Sequence, residues 1–390
     1  MSHASPRLLF EAGFRPFFLL AGLAAVVVVV RTVLVLHGIG LPSGNPFGWH
    51  GHEMLFGYVA AAMAGFLLTA IPNWTGTSPV SGTPLVLAAS IWLLARLGLW
   101  DGIAEWWAVT ADLAFLPAVA LIAGRPLLHG SSFRRWLPLG ILLLFAAVNG
   151  LWHAAVALGQ PALASRALFF ATMVVALQIA VIGGRITPAF TRNYLVARGA
   201  TVGPRAIDAR DGLALAVSAA VALAEFVHPT TAAALAAVAA ILHAARLYGW
   251  QGSRAWREPL LLVLHVGYGW LAAGYALRAT ALIGPAWSGP WALHGLLVGA
   301  IGTMTLAVMS RATLGHTGRP LRAGVILTLA FVAIQTAAVV RLLDPWIGAD
   351  AWRVAGVLWM AAFALFLLRC GPMLLTRRVD RDSVPITVQR

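Results

Sequence analysis

The residues best equipped for chemistry in this chain are imidazoles set at the mouths of apolar runs. In "WHGHEMLFGYVAAAMAGFLLTAIPNW" (49–74), His50, His52 and Glu53 open a stretch long enough to cross a bilayer, and His294 does the same in "ALHGLLVGAIGTM" (292–304). An imidazole in hydrocarbon is costly unless it is paired, bound to a metal or facing water, so each is a functional candidate. His50 and His52 are two residues apart, about 200° around a helix, and one continuous helix cannot aim both at one iron. His52 and His294 sit on separate segments at similar depth, each followed at the fifth position by glycine (Gly57, Gly299). That pattern suits haem b held by two imidazoles from facing helices, with small residues where the macrocycle nears the backbone. His50 would then be a second-metal ligand or an access-side base. Propionates would need donors from Arg, Trp or Asn at the membrane edge.

The other imidazoles carry two readings each. His153, in "AAVNGLWHAAVALG", reads equally as a ligand and as a hydrogen-bonded structural group. His243, His265 and His316 fall near the opposite face and suit a copper or second haem site. The alternative for these is a hydrogen bond to a tyrosine or a backbone carbonyl. His37 reads as interfacial, and His3, His129 and His228 as solvated. Glu53 is a partner of an imidazole or a charge favoured at a helix start.

The elements that must position these groups are membrane helices. The chain has 390 residues, 60% of them hydrophobic and 10% charged, with mean hydropathy +0.85, far from a soluble composition. About twelve stretches reach the length needed to span hydrocarbon, over 15–37, 52–71, 83–100, 106–123, 135–158, 166–188, 211–228, 231–248, 258–282, 290–313, 321–343 and 350–372. The expectation is an all-α polytopic protein with one transmembrane domain over 1–376 and a tail over 377–390. The start "MSHASPRLLFEAGFRPF" carries Glu11 and no cleavage pattern, so no removable signal peptide is expected. A fixed offset aligning His52 with His294 also aligns Gly57 with Gly299 and Thr75-Gly76 with Thr317-Gly318.

The formal charge of +14 reports topology, not nucleic acid. All 27 basic residues are Arg, and a cytoplasmic N-terminus places 21 of them on the inner side and 6 on the outer, so the excess predicts both termini in the cytoplasm. Cys370 is the single cysteine, which excludes an internal disulfide and leaves His, carboxylate and Met as metal donors. No Walker A motif, G-x-S-x-G elbow or CxxC pair is present.

Five stretches in this order, "EAGFRPFFLLAG" (11–22), "WHGHEMLFGYVAAAMAGFLLTAIPNWTG" (49–76), "GGRITPAFTRN" (183–193), "LHVGYGWLAAGYAL" (264–277) and "ALHGLLVGAIGTMTLAVMSRATLGHTGRPL" (292–321), resemble the NnrS family. Its members are polytopic haem- and copper-containing membrane proteins associated with the bacterial response to nitric oxide and with denitrification. The resemblance implies haem b, copper, a place in the bacterial cytoplasmic membrane, nitric oxide or a related small molecule as partner, and an electron donor such as quinol. It carries over His50, His52, Glu53, His265, Tyr268, Trp270, His294, Met304 and His316, with Arg15, Asn73, Arg192, Asn193 and Arg311 at helix ends; Arg15, Asn73, Arg192 and Arg311 are the expected cofactor contacts. Imidazoles on the second and tenth segments also resemble subunit I of haem-copper oxidases, although here the sixth and seventh segments lack the His of their copper site. Reduction, oxidation, sensing and buffering of nitric oxide all fit. The rival classes are a metal or haem transporter and an assembly partner of a denitrification complex.

Overall fold

The computed structural model describes residues 6–40, 45–101, 105–130, 132–201, 203–204, 208–284, 290–348 and 350–379. His3, Arg205 and most of the 377–390 tail lie outside them. Among the described residues every regular element is helical. Helices follow from composition, because in lipid each backbone N–H and C=O must bond within its own segment.

The rods are α1 Phe14–Leu36, α2 Pro46–Thr75, α3 Thr83–Gly98, α4 Trp106–Gly124, α5 Phe133–Ala157, α6 Pro161–Val196, α7 Ala209–Ala224, α8 Pro229–Gly249, α9 Pro259–Ile283, α10 Trp291–His316, α11 Gly324–Ile347 and α12 Ala351–Leu375. Ten are long and apolar enough to cross a membrane. The other two, α3 and α7, expected from sequence to span, have 16 residues each, about 24 Å of rise against about 30 Å of hydrocarbon. Two of the sequence spans start five or six residues late, at α2 and α6. α2 begins at Pro46, with Asn45 accepting from the Phe47 N–H at 3.1 Å, so His50 is on the helix and not in a preceding loop. α6 runs on to Val196, eight residues past the end of the span read from sequence at 188.

Packing sorts the rods into three groups of four, α1–α4, α5–α8 and α9–α12. Corresponding pairs touch in each group: α1 with α2, α5 with α6, α9 with α10; α3 with α4, α7 with α8, α11 with α12. The groups join through α4–α5, α8–α9 and α12–α1, which closes the ring. The second helix of each group is central: 78, 78 and 67% of the most apolar stretches of α2, α6 and α10 are buried, against 39–61% in the other seven long helices. With four helices in each group, α2 and α10 hold the same second place in their groups. Lipid faces are read from stripes such as Leu23, Val27, Val30 and Leu34 on α1, all exposed at helical spacing. Inside, small residues set the approach; a Cβ on Gly65 of α2 would lie 2.7 Å from the Phe18 ring of α1.

The repeat between α2 and α10 is architectural as well as sequential. Each helix opens with a short α-helical stretch ending at His52 or His294. Each then passes through a π-helical segment, Glu53–Val59 or Gly295–Gly302, and ends before a left-handed glycine, Gly76 (φ 69°) and, one residue beyond Thr317, Gly318 (φ 76°). The wider turn of a π segment frees carbonyls from the regular ladder, and Trp92 of α3 donates to the Gly57 carbonyl at 3.0 Å.

Candidate metal centre

Within the first group and the start of the second, four helices bring six polar side chains to one buried place. His52 ends the opening stretch of α2 and Glu53 begins its π segment. Arg96 comes from the last turn of α3, Asp112 from the second turn of α4, and Asn149 and His153 from one face of α5, four residues apart. His52, Glu53, Asp112, Asn149 and His153 are 1–6% exposed. Asp112 Oδ2 accepts from Asn149 Nδ2 at 2.7 Å and from His153 Nε2 at 2.9 Å and lies 3.2 Å from His52 Nε2, while Oδ1 accepts from Arg96. Glu53 lies between His52 Nδ1, at 3.0 Å, and Arg96 Nη1, at 3.3 Å.

Donor and acceptor inventory fixes the protons. Asn149 uses its NH₂ on Asp112, so its Oδ1 accepts from His52 Nε2 at 3.0 Å. The other ring nitrogen, Nδ1, faces Glu53, so that a charged His52 ring would, with Arg96, balance the carboxylates of Glu53 and Asp112, and equal and opposite charge is the condition for burying such a set. Trp152 covers His52, with ring centroids 4.0 Å apart, and the Trp152 Nε1–H is buried with no hydrogen-bond partner.

His52, Asp112 and His153 each offer a ligand atom within 4.8 Å of the others, the one group of three metal-capable side chains among the described residues. Two imidazoles and a carboxylate suit a divalent first-row ion, copper, zinc and iron among them. A cleft of about 240 Å³ leads to it, lined by Asn45, Trp49, Glu53, Trp152 and Gln160 among others. That is below the ~300–1,000 Å³ of organic-ligand pockets, yet several times the ~30 Å³ share of one water. A porphyrin does not fit here. A Cβ on Gly57 would lie 2.9 Å from Arg96 Nη1, and one on Gly299 2.6 Å from the Trp270 indole, so side chains fill both sides on which a macrocycle was expected.

The other candidates are elsewhere. His50 bonds Thr32 of α1 through Nδ1 at 2.8 Å and is close enough to Arg341 of α11 to feel its charge. His294 is half-buried in the opening turn of α10, which packs mainly on α9 and α11, whereas all the side chains bonded to His52 come from α2, α4 and α5. On the other side of the bundle the three imidazoles occupy three separate places. His243 bonds Ser218 and Tyr268, at 2.8 and 2.9 Å; His265 donates to the Leu261 carbonyl at 2.9 Å; His316 lies on the Phe14 ring at 5.3 Å. Arg15 donates to the Leu374 and Thr376 carbonyls at 2.9 and 2.8 Å, Asn73 to Thr69 at 2.9 Å and Arg192 to Pro204 at 3.5 Å, and Arg311 lies over Phe190 at 4.1 Å. Asn73 is 21 residues along α2 from His52, about 30 Å of helix, so these helix-end donors serve the face carrying the termini and not the site at His52.

Sequence reasoning passed over Arg96 and Asn149 and left Asp112 without a partner. The available signal was a lone acid in an apolar helix, which needs a cation beside it, and the i, i+4 spacing of Asn149 and His153. A second buried set was equally hidden: Asp211 accepts from Arg246 Nε at 2.6 Å, and Arg246 donates to Tyr268, which leaves the Tyr268 hydrogen for His243 Nδ1. Compared with known families, the chain matches the family model described as NnrS protein over residues 8–378. No curated protein matches it.

Proposed function

The chain belongs to the NnrS family, and from that membership and the buried His52–Asp112–His153 set we propose that it is a copper-binding membrane protein that handles nitric oxide or a related small molecule. The donor set carries the reading, since two imidazoles and a carboxylate converge where hydrocarbon should be.

His52, His153 and Asp112 would hold the ion, which supplies an open coordination position for a diatomic ligand. The chain's own contribution is positioning and charge. Glu53 takes the Nδ1 hydrogen of His52 and fixes its ring, the role of an outer partner at a metal site. Arg96 offsets the two carboxylates, and the His52 Nε2 proton must leave before that nitrogen can ligate, so loading releases a proton. Trp152 closes one face of His52 and lines the cleft, and its buried N–H, without a partner, would be a donor for the oxygen of a small ligand. The cleft admits such a ligand and excludes a larger organic substrate. Haem has no part in this reading, because the room for a macrocycle at His52 is taken.

The test is a copper titration of the purified protein and of His153→Ala. Saturable uptake near one copper per chain by the parent, lost in the variant, supports the reading. A parent chain that takes up no copper, or a variant that takes up as much, sinks it.

A further inference from the structure

On the same face as the His52 cleft, the ends of α6, α7 and α9 enclose a second cleft, of about 320 Å³, lined by Ser165, Arg166, Phe169, Glu225, Phe226 and Arg278. Its floor is an ion pair. Arg278 Nε donates to Glu225 Oε1 at 2.7 Å and Nη2 to the other carboxylate oxygen, with the guanidinium 4.8 Å above the Phe169 ring. This bidentate contact, its partners 18 and 8% exposed, uses both oxygens of Glu225. Arg166 makes no ion pair among the described residues, so two guanidinium groups and one carboxylate leave the cleft a net charge of +1.

We propose that this cleft binds an oxyanion, with Arg166 as the principal contact and Arg278 and the Ser165 hydroxyl as supporting donors. Three observations converge on that chemistry. The uncompensated charge is on an Arg, whose planar fork matches phosphate geometry. Ser165 and Arg166 are the fifth and sixth residues of α6, near the end of the helix that favours negative charge. Phe169 and Phe226 supply apolar walls, and the volume exceeds what a bare inorganic anion fills, as a phosphate carrying glycerol and the first methylenes would require. The anion has two sources, the headgroup of an anionic phospholipid in that leaflet or a free inorganic oxyanion in the water above it. The site does not depend on copper. It does adjoin the His52 cleft, since Ser165 lines both.

The experiment uses full-length protein extracted with native lipid, with Arg166→Ala and, as control, Arg353→Ala. Arg353 is an exposed arginine near the start of α12 on the same face, and Arg166 is itself exposed, so neither change opens the core. Native mass spectrometry counts retained phosphatidylglycerol, and inorganic phosphate is then titrated into delipidated samples with thermal stability as readout. Retention in the parent and Arg353→Ala that falls several-fold in Arg166→Ala assigns a headgroup site. No specific retention, but a phosphate-induced stabilisation lost only in Arg166→Ala, assigns a free-anion site. The proposal is overturned if the parent shows neither response, or if Arg353→Ala loses as much as Arg166→Ala.

Discussion

Asp112 is the hinge of the buried charge set, since Arg96, His52, Asn149 and His153 all address its two oxygens. Replacing it by Asn keeps the shape and removes the charge that Arg96 and His52 require. Breaking one partner out of a buried ionic set costs about 3–5 kcal/mol, so Asp112→Asn should unfold at clearly lower temperature in detergent and take up no copper. Retained stability would mean that the His52 proton leaves to restore neutrality, and copper uptake by Asp112→Asn would remove Asp112 from the ligand set. At this scale the sequence was legible where a residue type is improbable in lipid: His52, Glu53 and His153 stood out for that reason. Arg96 did not, because it falls near a helix end where a cation is unremarkable. Which charge meets which depends on the rotation of four helices about their axes, and no local pattern records that.

The helices themselves were readable as apolar runs, and what escaped was their internal geometry. A π segment keeps the apolar composition of the α-helix around it, so nothing in "EMLFGYV" or "GLLVGAIG" announces one. The consequence for His52 is large. Deleting one residue within Glu53–Val59 should restore regular pairing, withdraw the Gly57 carbonyl that Trp92 bonds and move His52 along and around the axis relative to Ala60–Thr75. Copper binding should vanish in that deletion and survive the equivalent deletion within Gly295–Gly302, as measured by copper content of the folded fraction. Equal loss in both would show that the two segments support the bundle generally and not this site.

Over the whole molecule, the two buried polar sets lie apart, each across a seam between groups. The His52 set lies among α2–α5, and the Asp211–Arg246–Tyr268–His243 set among α7–α9. If the helices alternate in direction and the Arg excess of 21 to 6 sets the orientation, the connection after Val196 and the chain ends face the cytoplasm, and an alkaline phosphatase fused after Arg378 should be inactive. Activity there would invert the orientation and put both clefts on the cytoplasmic side.

The ring closure of α12 on α1 has a consequence for how much the order of the chain matters. Arg15 bonds the carbonyls of Leu374 and Thr376, so the first and last rods are already tied at the face that carries both ends. A gene in which Thr376 is linked to the Pro6–Leu9 turn, with new ends cut between Val196 and Ala209, should therefore encode the same bundle. Circular permutation succeeds at exposed connections, and such a permutant should keep the copper uptake of the parent. The point at which synthesis begins would then be a choice among the connections on that face and not a property that the architecture requires.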